Sequence, residues 1–329
     1  MTDKQFKKGE VIFLEGDMGN TLYQIVDGAV TIYAGYGESE QQQLTELGKN
    51  KIFGEMSVIE ACPRSTTAVA KEDVKVLEVN SDEVMDYFKT QPDRIFDIMK
   101  NLSARIRDLT ADYAEAGNTV REIGNSVNAD FGGALIELIV RFATEYQRYK
   151  ALSHLSAEAE RMLSHNEQDD GYAVKVQTYD KGTVIFKEGE KGDCMYDIRS
   201  GSVGIYEAYG TQEEKLLTQL YANQFFGELG MIDNVERSCT AVVMEDGTEL
   251  ELIFASDITE LFEKNPEKIK LILEHLSFRL RKLTIDYMNA CRMINRVNAA
   301  RNAGGVDDGL KAEAKSFSDE LVVISSLKL

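Results

Sequence analysis

Between residues 9 and 80 short apolar runs alternate with glycine-bearing turns: VIF, LYQIV, AVTIYAGY, QLTEL, TTAVA and VKVLEV. Runs this short, each closed by turn residues, predict the strands of a β-sandwich or barrel. From about Ser81 the period lengthens. Ile95, Ile98, Met99, Leu102, Ile106, Leu109 and Tyr113 recur at steps of three and four, which predicts a long amphipathic helix. The segment Asn128 to Gly133, NADFGG, interrupts that rhythm. A second stripe follows at Leu135, Leu138, Ile139, Phe142, Tyr146 and Tyr149 and continues toward Leu155 and Met162. It predicts a connecting helix to about Ser164, ended by the polar HNEQDDGY.

The same pattern then starts again. Gly182, Gly201, Gly227 and Arg237 each lie 173 residues after Gly9, Gly28, Gly54 and Arg64. One inserted residue after Met244 makes the spacing 174 from Thr110 to Thr284 and from Tyr113 to Tyr287. A constant offset over this length is a duplication. The expected organisation is a first unit at 1–127, a helical connector at 128–172, a second unit at 173–298 and a C-terminal tail at 299–329. After Val297 comes NAARNAGGVDDG, which reads as a loop or a frayed end.

Within each copy one stretch stands out as candidate chemistry: IFGEMSVIEACPRSTTA from Ile52 and FFGELGMIDNVERSCTA from Phe225. Gly54 and Gly227 allow a positive φ or a close approach of ligand to backbone. The residues after them, Glu55-Met56-Ser57-Val58 and Glu228-Leu229-Gly230-Met231, can form one helical turn that presents free amides to an anion. Arg64 and Arg237 return after that turn, and a guanidinium grips two phosphate oxygens at once. Ser65 and Ser238 add hydroxyl donors. A carboxylate repels phosphate, so Glu55 and Glu228 suit a different task, accepting a hydrogen bond from a sugar hydroxyl. An internal ion pair is the other reading of a Glu and an Arg so spaced. Its recurrence with the same preceding Gly and following Ser favours a nucleotide site.

These two stretches resemble the phosphate-binding cassette of the cyclic nucleotide-binding domain family, as do the flanks GEVIFLEGDMGNTLYQIVDGAVTIY and GTVIFKEGEKGDCMYDIRSGSVGIY. The resemblance extends over about 120 residues in each copy. It implies an α+β fold of two tandem β-rolls, jelly-roll-like, each followed by long helices that close over the nucleotide. In several members that helix is also a dimer seam, so a homodimer through helices is one expectation and packing onto its own roll the other. A threonine on this helix faces the base in the bacterial catabolite activator branch, which points to Thr110 and Thr284. Members choosing cyclic GMP often carry threonine after the phosphate arginine. Ser65 and Ser238 therefore favour cyclic AMP, with cyclic GMP the second choice. One departure stands in the second copy, where Glu236 replaces the proline kept at Pro63.

Charge and composition narrow the functional classes. With 37 Lys and Arg against 56 Asp and Glu the net charge is −19, which argues against a nucleic-acid surface. No run of about 18 apolar residues is present, so no membrane span is expected. Cys62, Cys194, Cys239 and Cys291 lack paired spacing and fit thiols in a reducing cytoplasm. His154 and Glu158 stand one helical turn apart without a third ligand, so no metal is expected, and His165 and His275 add none. Nucleophile-elbow and kinase motifs are missing, and the short C-terminal stretch leaves no room for an appended helix-turn-helix. The expectation is a non-enzymatic cytoplasmic sensor with two cyclic nucleotide sites, needing no cofactor and acting on an unidentified protein partner. The alternatives are a scaffold with degenerate pockets and a co-regulator working through a DNA-binding partner.

Overall fold

The computed structural model describes residues 1–37, 41–59, 63–126, 131–149 and 175–324. Residues 150–174, which include Leu155, Met162 and two histidines of the expected connector, lie outside them, as does Cys62. The chain divides into two compact units. Unit 1 comprises Met1–Gln91, Glu115–Ala159 and Ser277–Ser316; unit 2 comprises Pro92–Ala114, Glu160–Leu276 and Phe317–Leu329.

In unit 1, strands β1 (Thr2–Phe6), β2 (Val11–Phe13), β3 (Thr21–Asp27), β4 (Val30–Ala34), β5 (Gln42–Leu47), β6 (Ile52–Phe53), β7 (Thr67–Ala70) and β8 (Val74–Asn80) form two four-stranded antiparallel sheets. Their orders are β1-β8-β3-β6 and β2-β7-β4-β5. Between them lies a core of Tyr23, Ile25, Val30, Phe53, Ala68 and Val76. The alternating positions Val74 and Val76 of β8 feed it from one face. Strand β1 is the element that hydrophobic patterning does not reveal. Its TDKQF is mostly exposed and holds the sheet edge by backbone pairing and by Lys4–Glu78 and Lys75–Asp3 contacts at 2.7 and 2.8 Å. A short helix α1 (Glu55–Ile59) interrupts the roll, and α2 (Val84–Thr90) closes it, with the Tyr87 hydroxyl donating to Gln24 at 3.1 Å.

Unit 2 repeats the plan. Strands β9 (Lys175–Tyr179), β10 (Val184–Phe186), β11 (Cys194–Ser200), β12 (Ser202–Glu207), β13 (Lys215–Tyr221), β14 (Phe225–Phe226), β15 (Thr240–Val243) and β16 (Thr248–Phe254) give sheets ordered β14-β11-β16-β9 and β10-β15-β12-β13. Tyr196, Ile198, Val203, Ile205, Phe226 and Leu250 make its core. Helices α5 (Glu228–Asp233) and α6 (Ile258–Lys264) take the places of α1 and α2. The fold is thus α+β, two tandem β-rolls with long helices.

The long helices are α3 (Asp93–Asn125), α4 (Gly133–Tyr149), α7 (Pro266–Asn302) and α8 (Asp308–Ile324). The predicted stripe of α3 is buried at Ile95, Ile98, Met99, Leu102, Ile106 and Tyr113. The loop expected to begin at Asn298 is instead helical through Asn302, because buried Ile294 and Val297 keep the stripe of α7 in contact with the core. Asp308–Ile324 of the expected tail is a further helix.

Helix allocation follows no simple order along the chain. Residues 92–114 of α3 belong with the second roll, and residues 277–302 of α7 belong with the first.

On α7, burial pushes the Asp286 carboxyl above the ordinary 3.8, against the smaller opposing pull of Lys282, and its buried Oδ2 has no hydrogen-bond partner among the described residues. A raised folded value means that folding disfavours the charged form. The stability this residue lends is present at low pH and lost as pH climbs through its folded value. Asp286→Asn therefore raises the melting temperature at pH 7. The gain shrinks toward zero below about pH 4 in melts run across pH.

Candidate functional site

Each glycine-led turn packs against a buried arginine laid over an aromatic ring. In unit 1 the Arg64 guanidinium carbon lies 4.2 Å from the centre of Phe13 and 5.8 Å from Tyr23. In unit 2 Arg237 repeats this over Phe186 at 4.2 Å and Tyr196 at 5.9 Å. The rings are themselves packed: Tyr23 stacks on Phe53 at 5.2 Å and Tyr196 on Phe226 at 5.0 Å. A cation over the face of a ring is attracted by its quadrupole, so the roll's core holds the guanidinium in place.

Hydrogen bonds set its orientation. Arg64 donates from Nη1 to the Gly54 carbonyl at 2.8 Å and Ser57 Oγ at 2.5 Å, and from Nη2 to Thr21 Oγ1 at 2.8 Å. Arg237 donates from Nη1 to the Gly227 carbonyl at 2.5 Å and from Nη2 to the Cys194 carbonyl at 2.7 Å. Thr21 and Cys194 occupy equivalent positions, and so do Ser57 and Gly230. Two side-chain hydroxyls thus help hold the arginine in the first copy, and their counterparts in the second are a thiol and a glycine.

The glycines are required by this geometry. Gly54 has φ +75° and Gly227 φ +76°, and a Cβ there would stand 2.6 Å from Arg64 Nη1 or 2.8 Å from Arg237 Nη1. Both the left-handed backbone and the guanidinium exclude a side chain. Gly227→Ala is expected to cost about 1–2 kcal/mol of stability from backbone strain alone and to displace Arg237. Thermal melts and an anion titration of the second copy check both effects.

Glu55 and Glu228 each begin the short helix, and both are buried, Glu228 completely. Met56 and Leu229 follow half-buried, and Leu229 lines the unit 2 recess with Gly227, Gly230, Arg237, Ser238 and Cys239. Glu236, the residue in place of proline, also lines it from an exposed position. Burial pushes the Tyr196 hydroxyl and the Cys194 thiol above their ordinary values, so both stay neutral beside Arg237.

The expected residues fall into two groups. In unit 1, Gly54, Glu55, Met56 and Arg64 gather around one turn, with Ser65 half-buried next to the arginine. In unit 2, Gly227, Glu228, Leu229, Arg237 and Ser238 do the same. Thr110 and Thr284 are half-buried on α3 and α7, where each hydroxyl donates to its own helix backbone, at Ile106 and Leu280. Thr110 belongs to the unit that contains Arg237, and Thr284 to the unit that contains Arg64. Sequence reasoning missed the ring platforms Phe13, Tyr23, Phe186 and Tyr196, although VIF and a Tyr ten residues on recur in both copies. It also missed Arg107, which lines the unit 2 recess.

Among the described residues no three His, Cys, Asp or Glu side chains gather as a metal site, and no helix is long and apolar enough to cross a membrane. Comparison with known proteins gives the arrangement its family. The chain is 25% identical over 246 residues to the cAMP-dependent protein kinase regulatory subunit of Debaryomyces hansenii, covering 74% of this chain and 41% of that one. It is 33% identical over 121 residues to the Cyclic AMP receptor protein of Thermus thermophilus, covering 36% and 56%. It is 26% identical over 140 residues to a CRP-like cAMP-activated global transcriptional regulator of Mycobacterium tuberculosis, covering 43% and 60%. The chain therefore spans between about two fifths and three fifths of the length of these relatives. The family model for the cyclic nucleotide-binding domain matches residues 3–91 and 176–265, more than half of the 329 residues. With a buried arginine and a glycine-led turn at the heart of each matched segment, the chain belongs to the cyclic nucleotide-binding domain family, in two tandem copies.

Proposed function

We propose that the chain is a two-site sensor of cyclic AMP that reports occupancy to a protein partner through its long helices. The observation that carries this reading is the matched pair of buried arginines, Arg64 and Arg237, each 4.2 Å over a phenylalanine ring and beside a buried glutamate. A phosphate seats on the guanidinium and the free amides of the following turn, and the ribose hydroxyl donates to Glu55 or Glu228. Ser65 and Ser238 extend the donor set. The preference for cyclic AMP over cyclic GMP rests on those serines and on the names of the three relatives above, which specify cyclic AMP.

Signalling follows from differential affinity. If the helices adopt two arrangements and the nucleotide binds one more tightly, occupancy shifts the population toward it. No catalytic constellation is needed, since phosphate and sugar are bound and released unchanged. The reading places the protein in the cytoplasm, where the buried thiols Cys194, Cys239 and Cys291 stay reduced.

Calorimetric titration with cyclic AMP and with cyclic GMP tests it. Two bound equivalents of cyclic AMP and weaker cyclic GMP binding are expected. No heat with either, together with an unchanged melting temperature at millimolar ligand, would remove the sensor reading.

A further inference from the structure

Arg107 faces the same recess as Arg237 although it comes from the helix that follows the other copy.

Arg107 lies on α3, within the part of that helix that belongs to unit 2, and it lines the recess together with Arg237, Gly227 and Ser238. Its Nη1 is 2.7 Å from Asp233 Oδ2, and Asp233 is the last residue of α5, the turn that begins at Glu228. Ser103, one helical turn earlier on α3, donates to the same Asp233 oxygen. The Asp233 side chain is only 10% exposed, so this is a seated contact and not a floating surface pair. A guanidinium has five N–H donors in a planar fork. One nitrogen on Asp233 leaves the other edge to serve the recess.

We propose that Arg107 is a second phosphate-contacting cation of the second site, so that a residue of the first repeat's helix helps to set the affinity of the second repeat. This deepens the sensor reading and rests on it. The pair with Asp233 holds the guanidinium at the recess that Arg237 also lines, so an incoming phosphate meets two positive groups. Each nucleotide bound at Arg237 therefore also engages α3, which joins the second site to the helix leading out of the first roll. The sequence repeats the motif in the opposite sense. Ser277 and Arg281 stand 174 residues after Ser103 and Arg107, on the part of α7 that belongs to unit 1 with Arg64.

The test uses the full chain with one site silenced at a time, titrated with cyclic AMP. In the Arg64→Ala background, where only the second site binds, Arg107→Ala and Arg107→Gln both weaken binding by roughly five- to ten-fold. This is below the range for a buried charge-assisted contact, because solvent screens Arg107, which is 38% exposed. In the Arg237→Ala background, where only the first site binds, Arg107→Ala leaves the affinity unchanged. Full affinity of the second site in Arg107→Ala overturns the proposal while leaving the sensor reading intact. Affinity retained by Arg107→Gln but lost by Arg107→Ala also overturns it, because that pattern marks packing and not charge. A parent protein that binds no cyclic AMP removes the sensor reading and this proposal together.

Discussion

Arg237→Ala should take one of two cyclic AMP equivalents out of the wild-type affinity range, and Arg64→Ala the other, with each affected site weakened about ten-fold to more than a hundred-fold. The range is that of a lost charge-assisted hydrogen bond, roughly 1.5–3 kcal/mol. The upper part is the better expectation. Arg64 is 4% exposed and Arg237 5%, so neither phosphate contact is made in bulk water, where screening would reduce it. A competing effect must be separated. Removing Arg237 also strips the Gly227 and Cys194 carbonyls of a donor, which lowers stability without reference to ligand. Titration well below the melting temperature of each variant keeps the two apart, and circular dichroism shows whether the roll is intact. A folded Arg237→Ala protein that still binds two equivalents with unchanged affinity would rule out the phosphate role. The double variant should bind neither equivalent.

Much of this site was legible because it is local. The Gly-Glu pair and the Arg-Ser pair ten residues after the Gly are fixed by one turn of chain, and duplication at an offset of 173 marks them twice. The rolls were legible for a similar reason, since alternating runs such as VKVLEV put one face of a strand into the core. Strand β1 was not, because an edge strand held by backbone pairing needs no apolar face. The partners of the long helices were not legible either. The stripe from Ile95 to Tyr113 says that a face is buried, yet any apolar surface satisfies that demand. Arg107 carries no local signal in the sequence. Only the folded chain brings it to Asp233, 126 residues away in sequence. The ring platforms escaped notice because a phenylalanine in a strand is ordinary core until an arginine is seen lying on it.

A buried charged cluster separates the two copies, and Lys268→Met should expose it. Lys268, 4% exposed at the start of α7, binds Asp197 and, at 2.9 Å, Glu251, whose side chains are 1% and 2% exposed. Asp197 and Glu251 face each other across β11 and β16, so two carboxylates share one position on the sheet. Arg199 reaches Glu251 at 2.6 Å from a more open position. Removing one partner of a buried ion pair costs about 3–5 kcal/mol, because the remaining charge keeps its desolvation penalty and loses its compensation. Here Arg199 still serves Glu251, so the expected loss for Lys268→Met is about 3 kcal/mol, a fall on the order of 6–12 °C for a unit of this size. The first copy shows how the position works without charge. Gln24 and Leu77 stand in register where Asp197 and Glu251 pair, and Gln24 instead accepts from Tyr87. The triple variant Lys268→Met, Asp197→Gln, Glu251→Leu should therefore recover most of the loss, because matched neutral or apolar groups carry no uncompensated charge. A melting temperature within a degree or two of wild type for Lys268→Met alone would show that water or Arg199 already neutralises the pair. Failure of the triple variant to recover would show instead that the lysine's methylene stem, not its charge, holds α7 to the roll.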